Sequence, residues 1–114
     1  MLRKDELVKN ICQKLVENDK IVGFAYDHFE EYEAVSPPFA VYRRVAPQNF
    51  GADGVVYARG DNVDFEIYAS DPDEMIDIMA AAEAAMYDAG LFYQIAADTA
   101  YIESEDFYET LYEL

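Results

Sequence analysis

Between Val63 and Ala69 the chain alternates: Val63, Phe65, Ile67 and Ala69 fall on one side, Asp64 and Glu66 on the other. Period two in β-branched and aromatic residues predicts a half-buried strand. Asp71-Pro72-Asp73-Glu74 follows and reads as a helix start. Asp71 is placed to cap free backbone N–H groups, Pro72 suits the first helical position, and Glu74 stands where a capping box wants a carboxylate. Met75, Met79, Ala82 and Met86 then recur at helical spacing, flanked by Ile76 and Ile78. Gly90 supplies the residue without Cβ that ends a helix cheaply. Leu91 to Ala97 predicts the next strand.

Upstream, Leu7, Val8, Ile11, Cys12, Leu15 and Val16 form the apolar stripe of a helix over about residues 2–18, with Arg3, Lys4, Lys9 and Lys14 off the stripe. Residues 21–29 read either as a short strand or as an extended segment. Ser36-Pro37-Pro38 forces an extended chain and forbids a helix. Phe39 to Val45 predicts a strand carrying Arg43 and Arg44, the densest positive charge in the chain. Residues 39–69 read as a β-hairpin with a long connection, within which Val55 to Ala58 is either a short strand or loop. Long connections in small domains are usually functional or ordered by a partner. Asp98-Thr99 is a turn candidate, Tyr101 to Glu103 a short extended piece, and Phe107 to Leu114 the last strand. Phe107 and Leu111 lie on one side of that strand and Tyr108, Tyr112 and Leu114 on the other, so it needs cover on both.

The expected fold is α+β: one domain over residues 1–114, with a mixed or antiparallel sheet of about four to five strands. An N-terminal helix and a second helix pack on one face. A chain of 114 residues suits one modest core. No apolar run is long enough to cross a membrane, and the N-terminus has no signal-peptide pattern.

Charge changes the picture. Twenty-four acids against eight bases give −16, and the excess is uneven. Residues 1–59 hold nine acids and eight bases; residues 60–114 hold fifteen acids and no base. Such a surface repels phosphates, which argues against gripping DNA. Solubility is the plain alternative explanation. Ten Tyr and seven Phe provide rigid contact area of the kind enriched at interfaces, although a small aromatic core uses part of it.

The residues do not spell a catalytic constellation. His28 is the single histidine, and no Ser, Thr or Cys sits in a nucleophile motif. Cys12 falls within the first helix's apolar stripe and reads as core. Asp71-Pro72-Asp73-Glu74 and Asp61-x-x-Asp64-x-Glu66 lack the ligand spacing and glycine of a calcium loop. No phosphate-cradling glycine loop is present. The expectation is a non-enzyme without metal or cofactor.

Several segments together carry a resemblance. They are Ala25-Tyr26-Asp27-His28-Phe29-Glu30-Glu31, Pro37-Pro38-Phe39-Ala40-Val41-Tyr42, a loop with Ala52-Asp53, Val63 to Tyr68, Gly90-Leu91-Phe92-Tyr93 and the closing run Tyr101 to Glu113. Over nearly its whole length the chain resembles the small head–tail module proteins of siphophages and prophages of Gram-positive bacteria, the tail-terminator type in particular. It departs in charge: lysines are expected in the second helix and last strands of that family, yet Ile76 to Met86 holds no base. The resemblance implies a ring, usually hexameric, that sits on the tail tube, ends its growth and meets the head connector. It implies a place in the virion neck, assembled in the host cytoplasm, with DNA passing through the lumen unbound. Arg43, Arg44, Asn49, Phe50, Asp53 and Tyr57 are then the candidate subunit and partner contacts, the two arginines bridging to acids such as Asp64 or Glu66 of a neighbour. A head-completion protein sealing the portal, or a ligand-binding α+β domain outside phages, are the alternatives.

Overall fold

In a computed structural model, which describes residues 2–33, 35–46 and 61–114, the alternating segment becomes β3 (Asn62–Ala69), the central strand of a five-stranded sheet. Before it come α1 (Lys4–Glu17), β1 (Gly23–Tyr26), a 3-10 turn (Glu31–Glu33) and β2 (Phe39–Val45). After it come α2 (Pro72–Asp88), β4 (Gln94–Ile102) and β5 (Phe107–Glu113). The strand order is β1-β2-β3-β5-β4, parallel between β1 and β2 and antiparallel elsewhere. This is the expected α+β class.

Both helices cover one face of the sheet, α1 over β1, β2 and β3, and α2 over β3, β5 and β4. Val8, Ile11, Cys12 and Leu15 of α1 meet Met75, Ile78, Met79, Ala82 and Met86 of α2 above Ala40, Tyr42, Val63, Phe65, Ile67 and Tyr112. The period-two set of β3 is the floor of this core, with Val63, Phe65, Ile67 and Ala69 fully buried. Phe65 stacks on Tyr112 at 5.8 Å between ring centroids.

The caps follow the sequence. Asp71 Oδ1 accepts from the Glu74 amide at 2.8 Å, while Glu74 Oε1 accepts from the Ser70 amide at 2.9 Å. At the other end Gly90 adopts φ +73°, and the amides of Gly90 and Leu91 reach the carbonyls of Tyr87 and Met86. The start of α1 is capped from a distance: Asp61 Oδ2, at the foot of β3, accepts from the Lys4 amide at 2.8 Å.

Three boundaries differ from expectation. Residues 91–93 form a connector, because Leu91 and Tyr93 turn inward against the core before pairing begins at Gln94. Asp98-Thr99 is a bulge inside β4, where Thr99 takes φ +51° and its amide donates to the Thr110 hydroxyl at 3.0 Å. The reversal comes instead at residues 103–106, with Asp106 at φ +57°. The ambiguous segment at 21–29 contains β1, which gains strand character by pairing parallel with β2.

Candidate functional site

The sheet face away from the helices carries the main polar cluster. Arg43 on β2, Glu66 and Tyr68 on β3, and Glu109 on β5 share that face by register: Val41 stands opposite Glu66, and Tyr68 opposite Glu109. The Arg43 guanidinium lies 2.7 Å from Glu66 Oε2. The Tyr68 hydroxyl lies 2.6 Å from Glu66 Oε1 and 2.7 Å from Glu109 Oε2. A phenol owns one proton, so the Tyr68 hydroxyl can donate fully to only one of the two carboxyls at a time. Burial raises the Glu66 carboxyl above its ordinary range, and Glu109 adds to the rise, against the Tyr68 bond and Arg43. Burial, then the bonds to both carboxyls, pushes the Tyr68 hydroxyl far up.

Aromatic rings fence this network. Phe39 stacks on Tyr68 at 4.9 Å, and Phe107 meets both edge-on. Phe29 reaches Phe39 edge-on at 5.3 Å from the segment that follows β1. Between that segment and the strands lies an open groove of about 370 Å³, lined by residues including His28, Phe29, Glu66, Tyr68 and Phe107. His28 bridges Asp27 Oδ2 at 2.8 Å and Glu30 Oε1 at 3.3 Å, and these bonds raise its pKa. All three are exposed, so they organise a loop and offer no desolvated base. Cys12 is fully buried, and burial drives its thiol far above the ordinary range, away from nucleophile chemistry.

Among the residues singled out from the sequence, Arg43 is engaged with Glu66 of its own chain, so the bridge expected across subunits meets an intramolecular partner. Arg44 remains more open. Its amide donates to the Tyr26 hydroxyl oxygen at 3.1 Å, and its Nε is 4.0 Å from Asp61 Oδ1. Asn49, Phe50, Asp53 and Tyr57 lie outside the described residues. Asp71 and Glu74, weighed above as metal ligands, are occupied with backbone amides at the start of α2.

Sequence reasoning passed over two features. The Arg43–Glu66–Tyr68–Glu109 network needs the β3–β5 pairing, which joins residues 41 positions apart. The outer face of α2 carries Ile76 and Tyr87, both exposed. Its signal was present: Ile76 to Met86 has more apolar positions than one buried stripe requires. Comparison of the chain with protein-family models, curated proteins and solved structures returned no match.

Proposed function

We propose that this chain is a phage structural protein that forms a ring on the head-proximal end of the tail tube, ends tail growth and joins tail to head. The observation that carries the reading is the partition of charge over the fold. Residues 61–114, from the foot of β3 through β5, bear fifteen acids and no base, whereas the cations of the described residues all lie in residues 2–46. A wall of acids lets DNA pass without the counterion release that makes basic surfaces stick. The sequence resemblance to tail terminators supplies the rest. On this reading the Arg43–Glu66–Tyr68–Glu109 cluster is a staple across three strands and has no catalytic role.

Negative-stain electron microscopy of lysates from a phage deleted for this gene tests the proposal. Filled heads beside separate, overlong tails are the expected result. Free tails of normal length beside heads that leak DNA would move the protein to the connector. Intact infectious virions would overturn the assembly role.

A further inference from the structure

We propose that His28 is a proton-operated latch: its imidazolium holds residues 27–30 against the sheet as one wall of the aromatic groove, and its deprotonation releases that wall. The geometry asks one ring for two donors. Nδ1 lies 2.8 Å from Asp27 Oδ2, and Nε2 lies 3.3 Å from Glu30 Oε1. An ionised carboxylate only accepts, a neutral imidazole has one N–H, and the imidazolium has two. Only the charged ring therefore bonds both carboxylates at once. When its proton leaves, a ring lone pair faces one carboxylate, and that bond becomes a repulsion.

What the two bonds enclose is Phe29. It lies between Asp27 and Glu30, half-buried, with its ring edge-on to Phe39 at 5.3 Å. Phe39 stacks on Tyr68 at 4.9 Å, and the Tyr68 hydroxyl reaches Glu66 and Glu109. His28 and Phe29 thus line the groove of about 370 Å³ together with Glu66 and Tyr68. Among the described residues, backbone bonds fasten the segment at its ends: the Asp27 amide donates to the Tyr42 carbonyl at 2.8 Å, and the Glu33 amide to the Glu30 carbonyl at 2.9 Å. The His28 amide donates back to the Tyr26 carbonyl at 2.8 Å, and Asp27 takes φ +68°, a left-handed backbone that costs a residue with a Cβ. Loss of the bridge leaves this turn with its strain and without the side-chain bonds that offset it.

The groups around the ring favour its proton. Glu66 and Tyr68 of β3 and Glu105 of the turn after β4 line the same groove, and Glu31 and Glu33 follow in the 3-10 turn. Arg43, the nearby cation, is bridged to Glu66. The Asp27 bond, then the Glu30 bond, raises the His28 pKa above its ordinary 6.5. The latch is therefore shut below about 6.5 and opens as pH rises through the raised value. The His28, Asp27 and Glu30 side chains are 63%, 52% and 56% exposed, so what shifts is the population of a loop, not the stability of the fold, and salt weakens it.

His28 is the single histidine, so its ring resonances in the full chain are unambiguous. Proton–carbon correlation NMR, run from acid to alkaline pH, follows them beside those of Phe29 and Phe39. The expected result is a His28 midpoint above about 6.5, with the Phe29 and Phe39 ring shifts moving through the same midpoint and the Overhauser contact between the rings fading above it. Asp27→Asn and Glu30→Gln should each lower the His28 midpoint. His28→Gln should leave the Phe29–Phe39 contact independent of pH, and it separates the latch from Glu66, another titrating group in the groove. A ring contact equally strong on both sides of the midpoint, or a midpoint at or below about 6.5, would overturn the latch. So would a midpoint that neither amide substitution lowers, or phenylalanine shifts that titrate undiminished in His28→Gln, which would hand the response to Glu66. The titration of the parent chain needs no variant, so its outcome decides even where a substitution fails to fold.

Discussion

α1 and α2 lie side by side on one face of the sheet and stop in the same hydrogen-bond pattern. Each ends in a left-handed residue, Asp19 at φ +58° and Gly90 at φ +73°, with the next amide bonded back to Leu15 in the first case and Met86 in the second. Inward they are alike as well, burying Val8, Ile11, Cys12 and Leu15 or Met75, Met79, Ala82 and Met86. Outward they part. α1 shows water Lys9, Asn10, Gln13, Lys14 and Glu17, whereas α2 shows it Ile76, Ala80, Ala84 and Tyr87 beside Asp73, Asp77 and Asp88. One helix shows water a polar surface and the other a partly apolar one. The core dictates only the inner stripe of a helix, so the outer stripes of the two helices are free to differ.

The largest expected effect separates the two sides of α2. Met86 is fully buried, so Met86→Ala should cost about 2–5 kcal/mol through lost transfer free energy and a cavity. Ile76→Ala removes a similar amount of apolar side chain from an exposed position and should stay within about 0.5 kcal/mol of the parent. Urea denaturation of dilute protein measures both. An Ile76→Ala loss approaching that of Met86→Ala would mean that Ile76 packs within the monomer, and the contrast with α1 would collapse.

What the sequence made readable follows the range of the interactions. β3, α2 and its two caps depend on contacts within a turn or on simple alternation, and Asp71, Pro72 and Gly90 do what their chemistry suggests. Asp98-Thr99 reads as a turn in sequence and is a bulge in the fold, because a polar pair looks the same in either setting until Thr110 on the neighbouring strand accepts the Thr99 amide. The Asp61 cap on α1 joins residues 57 positions apart and has no local signature. The same limit governed the site. Arg43 stood out as a charge, but its partner Glu66 was fixed only by the β2–β3 register, which sets Arg43 diagonally from it across the strands.

A smaller effect tests whether the helix ends are as alike as their hydrogen bonds. Nothing lies within 4 Å of a Cβ placed on Gly90, so Gly90→Ala meets no clash and pays only for the left-handed backbone, about 1–2 kcal/mol. Asp19 already bears part of that strain, with the tolerance Asp shows for this region. Asp19→Gly should therefore stabilise by less than about 1 kcal/mol, the relief being offset by a freer unfolded chain. Thermal unfolding of the two variants gives both signs. A loss at Asp19→Gly would show that its carboxylate does more for α1 than its backbone costs.

The smallest expected effect is a change of slope, at the point where the two halves of the chain meet. Arg43 comes from the half that holds the cations, and Glu66, Tyr68 and Glu109 from the acidic half. The Glu66 carboxyl has a raised pKa, with burial the largest cause and the neighbouring Glu109 adding to it, while the Tyr68 bond and Arg43 pull the other way. A carboxyl with a raised folded pKa holds its proton more tightly in the native state than in the unfolded one. Its contribution to stability is fully present below the unfolded value, about 4.3, and is lost as pH rises through the folded value. Glu66→Gln keeps the shape and an acceptor for Tyr68 but cannot titrate. Stability measured by urea midpoint from acid to neutral pH should thus fall more steeply for the parent than for Glu66→Gln, the two curves running parallel once Glu66 is ionised. Identical slopes throughout would mean that Arg43 fully compensates the buried charge, and that the acidic half is neutralised here by the other half without cost.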